Sequence, residues 1–336
     1  MASPFTIEEI YPDDGDDPPR LPRRQAGSSP QDLAVTLLAD YTLRNRARIP
    51  SAALVALLAE AGVSTAGARA AISRLARRGV LEGSREGRRS SYRISRAAAA
   101  NLSSGGSWIL AATTEVRAWD GCWTLVAFSL PQDHSTQRRA LRGQLRWLGY
   151  APLYDGLWIS PYELSAQGRA KLARFTLGAV TVFRGRQAAL DAIGQRAPID
   201  AWDIEAIRRH YEEFLRRWTP LVPMLRSGAV DGAAAVRART EVMDTFRRFP
   251  TLDPRLPLEL LPAGWLRQPA RELFEAVYDG LAEPAARHVR SVVARFDGTQ
   301  PGIQAHTTAD LLAGVFGADP APDPGGASAA VESCTT

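Results

Sequence analysis

The chain has 336 residues, with 41 Lys+Arg against 36 Asp+Glu for a formal net charge of +5, and 45% hydrophobic residues. That length exceeds one ordinary domain and points to two or three, while so mild an average charge neither demands nor excludes a polyanionic partner. Cys122 and Cys334 have neither metal-ligand nor disulfide-framework spacing, Met1 to Asp17 lacks the basic and apolar regions of a secretory signal, and no apolar run approaches the roughly 18 residues of a membrane span. These exclusions lead to the expectation of a cytoplasmic protein with no membrane partner, no metal and no cofactor.

Residues 1–28 carry Asp13-Asp14-Gly15-Asp16-Asp17-Pro18-Pro19 and little that could form a core, so a disordered acidic leader is expected. Ser29-Pro30-Gln31-Asp32 has the form of a helix start, with an N-cap, a first-turn proline and an acid; Leu33, Leu37 and Leu38 then recur at helical spacing. Ser51 begins a second helix that Gly62 stops. Ser64 caps a third helix, which runs to Arg78 and ends at Gly79. Val80 to Arg85 and Ser91 to Ser95 then flank the tip Glu86-Gly87-Arg88-Arg89 as a β-hairpin. A helix, a helix-turn-helix and a hairpin are the elements of a winged-helix domain in their usual order.

Ser103-Ser104-Gly105-Gly106 suggests a hinge in a connecting segment, 99–118. A strand over Trp123–Phe128, a helix over Thr136–Leu148, a strand over Leu153–Ile159 with the turn Asp155-Gly156, a helix near Gln167–Arg174 and a strand over Ala179–Arg184 follow. Such alternation predicts a small ferredoxin-like α/β domain. Beyond Ala201 the pattern is helical, over Ile204–Trp218, Val236–Phe249, Ala270–Leu281 and Ala285–Phe296. The expected fold class is therefore multidomain α+β: winged helix 29–98, connector 99–118, ferredoxin-like domain 119–198, helical effector and dimerisation region 199–316, and a disordered tail 317–336.

On a wheel of about 100° per residue, Ala68, Ile72, Leu75 and Gly79 share one side of the third helix, while Ala66, Ala70, Ser73 and Arg77 lie opposite, flanked by Arg69 and Arg74. Small residues along the centre let a helix approach a major groove closely, and arginine can reach phosphate or guanine. The competing reading is a solvated face on an arginine-biased chain, since Lys171 is the only lysine. Charge distribution favours DNA: residues 30–96 hold twelve arginines and five acids, a net +7 that leaves −2 for the rest. The expected DNA contacts are Ser64, Thr65, Arg69, Ser73, Arg74 and Arg77 on the helix, with Arg85, Arg88, Arg89, Tyr92 and Arg93 on the hairpin.

Asp40-Tyr41, Ala68 to Leu75, Gly79 and Arg85-Glu86-Gly87-Arg88-Arg89-Ser90-Ser91-Tyr92-Arg93 resemble the winged-helix half of the phenylacetate-catabolon repressor (PaaX) family. The likeness continues through Trp119-Asp120-Gly121, Leu145-Arg146-Trp147-Leu148-Gly149, Gly156-Leu157-Trp158-Ile159-Ser160-Pro161 and Pro257 to Pro262, and covers about residues 32–296. The resemblance implies a homodimeric regulator, usually a repressor, released from a palindromic double-stranded DNA operator of an aromatic-acid catabolic operon by an aryl-CoA or acyl-CoA such as phenylacetyl-CoA. It also implies a middle domain like the CRISPR integration subunit. The acidic leader before Ser29 departs from the family pattern.

Trp147, Tyr154 and Trp158 are candidate pocket aromatics for such an effector, and Arg208 and Arg209 are candidate partners of its phosphates. Their plainer readings are core packing and a solvated helix surface paired with Glu212 and Glu213. The alternative from another class is a metal-dependent nuclease or a CoA-ester-acting enzyme with an accessory winged helix. The first strand of the middle domain argues against nuclease chemistry, because it ends at Ser129-Leu130-Pro131 without an acid, and His134, His210, His288 and His306 form no metal pair.

Overall fold

The computed structural model describes residues 29–114, 118–129, 135–173, 180–188, 196–297 and 302–315; the expected leader and the tail lie outside them. Helices α1 (Pro30–Thr42), α2 (Ser51–Glu60) and α3 (Thr65–Arg77) precede strands β2 (Leu81–Glu86) and β3 (Arg89–Ile94). A two-residue strand β1 (Ile49–Pro50), not anticipated from the sequence, pairs with β3 to complete an antiparallel sheet in the order β1-β3-β2. Ser29 caps α1 by accepting from the Asp32 N–H at 3.2 Å, and Gly62 and Gly79 end α2 and α3 with positive φ.

Helix α4 (Arg96–Thr114) corrects the expected hinge, because it runs unbroken through Ser103-Ser104-Gly105-Gly106. The glycine at 106 serves close packing: a Cβ there would lie 3.1 Å from Leu311 Cδ2 of α13 (Thr308–Ala313), and the neighbouring Ser107 hydroxyl donates to the Leu311 carbonyl at 2.6 Å. The nominal connector is thus a structural strut.

The middle unit comprises β4 (Trp123–Phe128), α5 (Ser135–Trp147), β5 (Ala151–Tyr154), β6 (Leu157–Ser160), α6 (Ala166–Ala173) and β7 (Val180–Gly185). The single strand expected over Leu153–Ile159 is a hairpin turning at Asp155-Gly156, and the four strands pair antiparallel in the order β5-β6-β4-β7. Gly156 is held at φ +77, where an added Cβ would meet the Phe128 carbonyl oxygen at 2.8 Å, so only glycine fits this turn.

The remaining helices are α7 (Ile204–Trp218), α8 (Leu221–Arg226), α9 (Gly232–Phe246), α10 (Phe249–Leu252), α11 (Arg267–Gly280) and α12 (Ala282–Asp297), followed by α13. Stacked rings of Phe246 and Phe274, 3.9 Å between centroids, and of Tyr211 and Phe249, 4.2 Å, fill their centre. This core is continuous with that of the N-terminal unit: α2 and β1 pack on α12, and α1 packs on α9. No helix among the described residues is long and apolar enough to cross a membrane.

A polar network crosses that junction. Arg239 of α9 is fully buried, donates to the backbone carbonyls of Tyr278 and His306, and lies 3.5 Å from the centroid of the Tyr278 ring. The Tyr278 hydroxyl in turn donates to Asp40 of α1 at 2.7 Å. Burial, helped by the charge of Arg239, pushes the His306 imidazole down to about 4. Between that value and about 6.5 the unfolded chain binds a proton that the native ring refuses, so stability falls as pH drops through this window. The histidine's share approaches about 3 kcal/mol by pH 4. Asp32 and Asp40 oppose it, since burial raises both carboxyls and protonation then favours the native state. Urea midpoints at pH 7 and pH 4.5 for wild type and His306→Gln isolate the histidine: the variant shows the smaller loss on acidification, and equal losses would remove His306 from the acid response.

Candidate nucleic-acid interface and ligand cleft

Helix α3 is amphipathic in the sense its sequence requires. Ala68, Ala71, Ile72 and Leu75 are buried against α1 and α2, while Thr65, Ala66, Arg69, Ala70, Ser73, Arg74 and Arg77 are exposed. Ser64 is also exposed, but its hydroxyl already accepts from the Gly67 N–H at 3.1 Å, so its first task is to cap the helix. The outward strip therefore runs from hydroxyl and methyl groups at its start to guanidinium groups at its end.

The hairpin turns through two residues, Gly87 and Arg88, between the paired positions Glu86 and Arg89. Gly87 takes φ +61, which a two-residue hairpin loop with glycine first demands. Arg85, Arg88 and Arg89 are exposed at this end. Two other expected contacts are differently placed. Arg93 is half-buried and donates to Glu82 at 2.7 Å, and Tyr92 packs on the core beneath Gly83. Consecutive on β3, they point to opposite faces, and each finds its own partner within the fold, Tyr92 the core and Arg93 the cross-strand Glu82.

Glu82 lies among several arginines at the base of the hairpin. Arg46, 6% exposed and at φ 49, donates to both carboxylate oxygens of Glu82 at 2.9 and 3.0 Å, and Arg48 reaches the Glu82 carbonyl at 3.4 Å. Partial burial and then the neighbouring Arg93 charge hold the Arg48 guanidinium below its ordinary value. Exposed Arg48 is a cationic candidate that the sequence reading missed; its signal was the alternation Arg44, Arg46, Arg48 leading into β1.

A cleft of about 620 Å³ separates the middle unit from the C-terminal helices, a size typical of small-molecule sites. Arg146, Tyr150 and Tyr162 line it from the middle unit, and Trp202, His210 and Arg255 from the helical side. Asp253, also in its wall, accepts from Tyr211 at 2.7 Å, from Arg267 at 2.8 and 2.9 Å, and from the Arg255 N–H at 2.7 Å. That hub holds Arg255 at φ 58, and Tyr162 ties the middle unit across by donating to the Arg255 carbonyl. Burial pushes the Tyr150 phenol up to about 12, which keeps it neutral.

Of the expected effector residues, Tyr154, Trp158, Arg208 and Arg209 do not line this cleft. Trp158 is buried in the middle unit's core with the Arg146 guanidinium 5.5 Å from its ring centroid; its place on β6 opposite Val126 turns it inward. Tyr154 is 56% exposed with Arg196 over its ring, and the Trp147 side chain lies outside the described residues. Arg208 pairs with Glu212 at 3.0 Å, and Arg209 is on the solvent side of α7. The cations that do line the cleft, Arg146 and Arg255, are about a hundred residues apart in sequence, so no local pattern could have paired them.

Comparison with known proteins matches residues 29–98 to the PaaX-like protein family, 116–196 to the PaaX protein central Cas2-like domain, and 202–291 to the PaaX-like protein C-terminal domain. The chain is 32% identical over 259 residues to the transcriptional repressor PaaX of Escherichia coli K12, covering 76% of this chain and 80% of that protein. It also resembles the solved structure of an uncharacterized protein from Mycobacterium tuberculosis at a TM-score of 0.53 and 21% identity, over 79% of this chain and 99% of the other. At that identity the second likeness speaks to fold alone.

Proposed function

The chain belongs to the PaaX family of transcriptional regulators, and from that premise we propose that it is a repressor that binds a palindromic double-stranded operator as a homodimer and leaves it when an acyl-CoA or aryl-CoA occupies the cleft between the middle and C-terminal units. It is a regulator, not an enzyme, in keeping with the repressor it resembles. The observation that carries the reading is one unit presenting both an exposed α3 face of small residues and arginines and a hairpin tipped by Arg85, Arg88 and Arg89. In this reading the N-terminal unit is a winged helix: α3 enters the major groove and the hairpin tip holds the phosphate backbone.

The β-α-β-β-α-β order and antiparallel β5-β6-β4-β7 sheet of the middle unit support a ferredoxin-like assignment. Arg146, Arg255 and His210 give the cleft groups suited to the phosphates of a coenzyme A thioester, while Trp202 and Tyr150 offer apolar surface. A ligand there acts only through its unequal affinity for two arrangements of the dimer. The target operon is one for the breakdown of an aromatic or related acid.

The test is a titration of the DNA-bound protein with a panel of acyl-CoAs, followed by fluorescence anisotropy of the duplex. Release by one thioester at concentrations where free coenzyme A has no effect is the expected result. Retention of the duplex against every thioester would overturn the effector half of the proposal.

A further inference from the structure

We propose that the acidic stretch Glu8–Asp17 docks on the outward face of α3 in the same chain and competes there with duplex DNA. The proposal rests on the regulatory reading above and deepens it, because it gives the DNA-binding face an internal competitor.

That face carries one sign of charge. Arg69, Arg74 and Arg77 are exposed on it, and the helix Thr65–Arg77 contains no acid. The C-terminal helices are built differently, since their arginines stand beside acids: Arg208 pairs with Glu212, Arg216 with Glu213, Arg217 with Glu241 and Arg271 with Glu275. On α3, Arg74 and Arg77 are three apart and repel each other, and the potential they create with Arg69 attracts an anion. Phosphates supply that anion in the DNA complex. In the DNA-free protein an acidic segment of the chain can do the same.

The complementary charge is written in the sequence. Residues 1–28 hold six acids, all between Glu8 and Asp17, and no basic residue precedes Arg20. The match to the family begins at residue 29, so this stretch lies outside the shared fold. Its order also agrees with that of the helix. Phe5, Ile7, Ile10 and Tyr11 precede Asp13, Asp14, Asp16 and Asp17, while on α3 the exposed methyls of Ala66 and Ala70 precede the guanidinium groups of Arg74 and Arg77. Laid parallel to α3, the segment brings apolar groups to methyl surface and carboxylates to arginine.

Reach and strength both suffice. Twelve residues lead from Asp17 to Ser29, the cap of α1, and so short a chain still spans up to about 40 Å when extended. Helix α3 packs on α1 and has 13 residues, so with axes 8–10 Å apart its outward face lies within roughly 30 Å of Ser29. A tethered segment acts at an effective concentration on the order of 1 mM. A contact with an intrinsic Kd of only ~0.1 mM then fills the face about nine-tenths of the time and weakens DNA binding about tenfold.

Two measurements on the full-length protein test the contact. In the first, Glu8→Gln, Glu9→Gln, Asp13→Asn, Asp14→Asn, Asp16→Asn and Asp17→Asn are combined, and affinity for a mixed-sequence duplex is read by fluorescence anisotropy. The neutralised variant is expected to bind about tenfold tighter than wild type at 50 mM salt, with a smaller gap at 200 mM. A gain under threefold at 50 mM would overturn the competition. In the second, a nitroxide on Gly15→Cys, in a Cys122→Ser, Cys334→Ser background, is expected to broaden the amide NMR signals of Ala66, Ala70, Ser73 and Arg77 in the DNA-free protein. Saturating duplex is expected to restore them. Broadening confined to other surfaces, such as that of Arg48 and Arg93, would overturn the site. Tighter DNA binding with sharp α3 signals would mean that the acids merely repel DNA, and docking would be abandoned. Broadening of a ¹⁵N-enriched chain by the nitroxide of a second, unenriched chain would overturn the assignment to the same chain. Absence of duplex binding by wild type and variant alike would instead sink the regulatory reading, with docking judged separately by the nitroxide arm.

Discussion

In the proposed complex, alanine at Arg88 or Arg89 is expected to weaken binding to every duplex by roughly tenfold, the worth of one charge-assisted contact at about 1.5 kcal/mol. Each loss also flattens the plot of log affinity against log salt by about 0.9, because one phosphate fewer releases its counterions. Exposure at the hairpin tip separates these residues from Arg93, which is half-buried against Glu82. Arg93→Ala is expected to leave the salt slope nearly intact, acting through the sheet instead. Anisotropy titrations between 50 and 200 mM salt on operator and scrambled duplexes read both effects, and an unchanged slope for the Arg88→Ala, Arg89→Ala double variant would take the hairpin tip out of the interface. On α3 the signature differs. Arg69→Ala or Ser73→Ala should change the ranking of single-base operator variants by about 1–3 kcal/mol at one position; uniform weakening would assign those side chains to phosphate.

The largest stability effect is expected from Arg239→Ala. The substitution strips two buried backbone carbonyls, those of Tyr278 and His306, of their donor and removes the cation packed on the Tyr278 ring. It also removes the positive charge that does most to offset the burial of Asp40. Breaking such an arrangement costs about 3–5 kcal/mol, a large fraction of what holds an ordinary domain together. Urea unfolding measures it, and a loss under about 1 kcal/mol would mean that neighbouring groups relax to take over the arginine's bonds. Arg239→Lys recovers little, since a single ammonium cannot reproduce the planar fork that spans both carbonyls.

Much of the N-terminal unit could be read from the sequence because its signals are local. Caps at Ser29 and Ser64, glycines at 62, 79 and 87, and the spacing of Ile72 and Leu75 each act within a few residues, and the elements form where those signals place them. The strut α4 was misread for the opposite reason. Two adjacent glycines argue for a break on propensity, and only the approach of Leu311, more than two hundred residues away, explains why one of them sits in a helix. The cleft was hardest to foresee. Arg146 and Arg255 are brought to one cleft by the packing of separate units, whereas Trp158 is core and Tyr154 is exposed away from the cleft. A run of aromatic residues in sequence records hydrophobic demand, and alternation along the strand decides which of them reach solvent.

The bond from Tyr278 to Asp40 has a bearing on how this protein can be taken apart. It joins α1 to a helix some 240 residues downstream, in a core that α2, β1, α9 and α12 share. A fragment ending near residue 98 would carry its first helix with an ionisable carboxylate and an apolar flank laid open to water. Grafting the N-terminal unit onto another protein, the usual route to a synthetic sensor, therefore requires transplanting the receiving surface of α9, α11 and α12 with it. New specificity is more readily introduced by rewriting the outward positions of α3 in the intact chain.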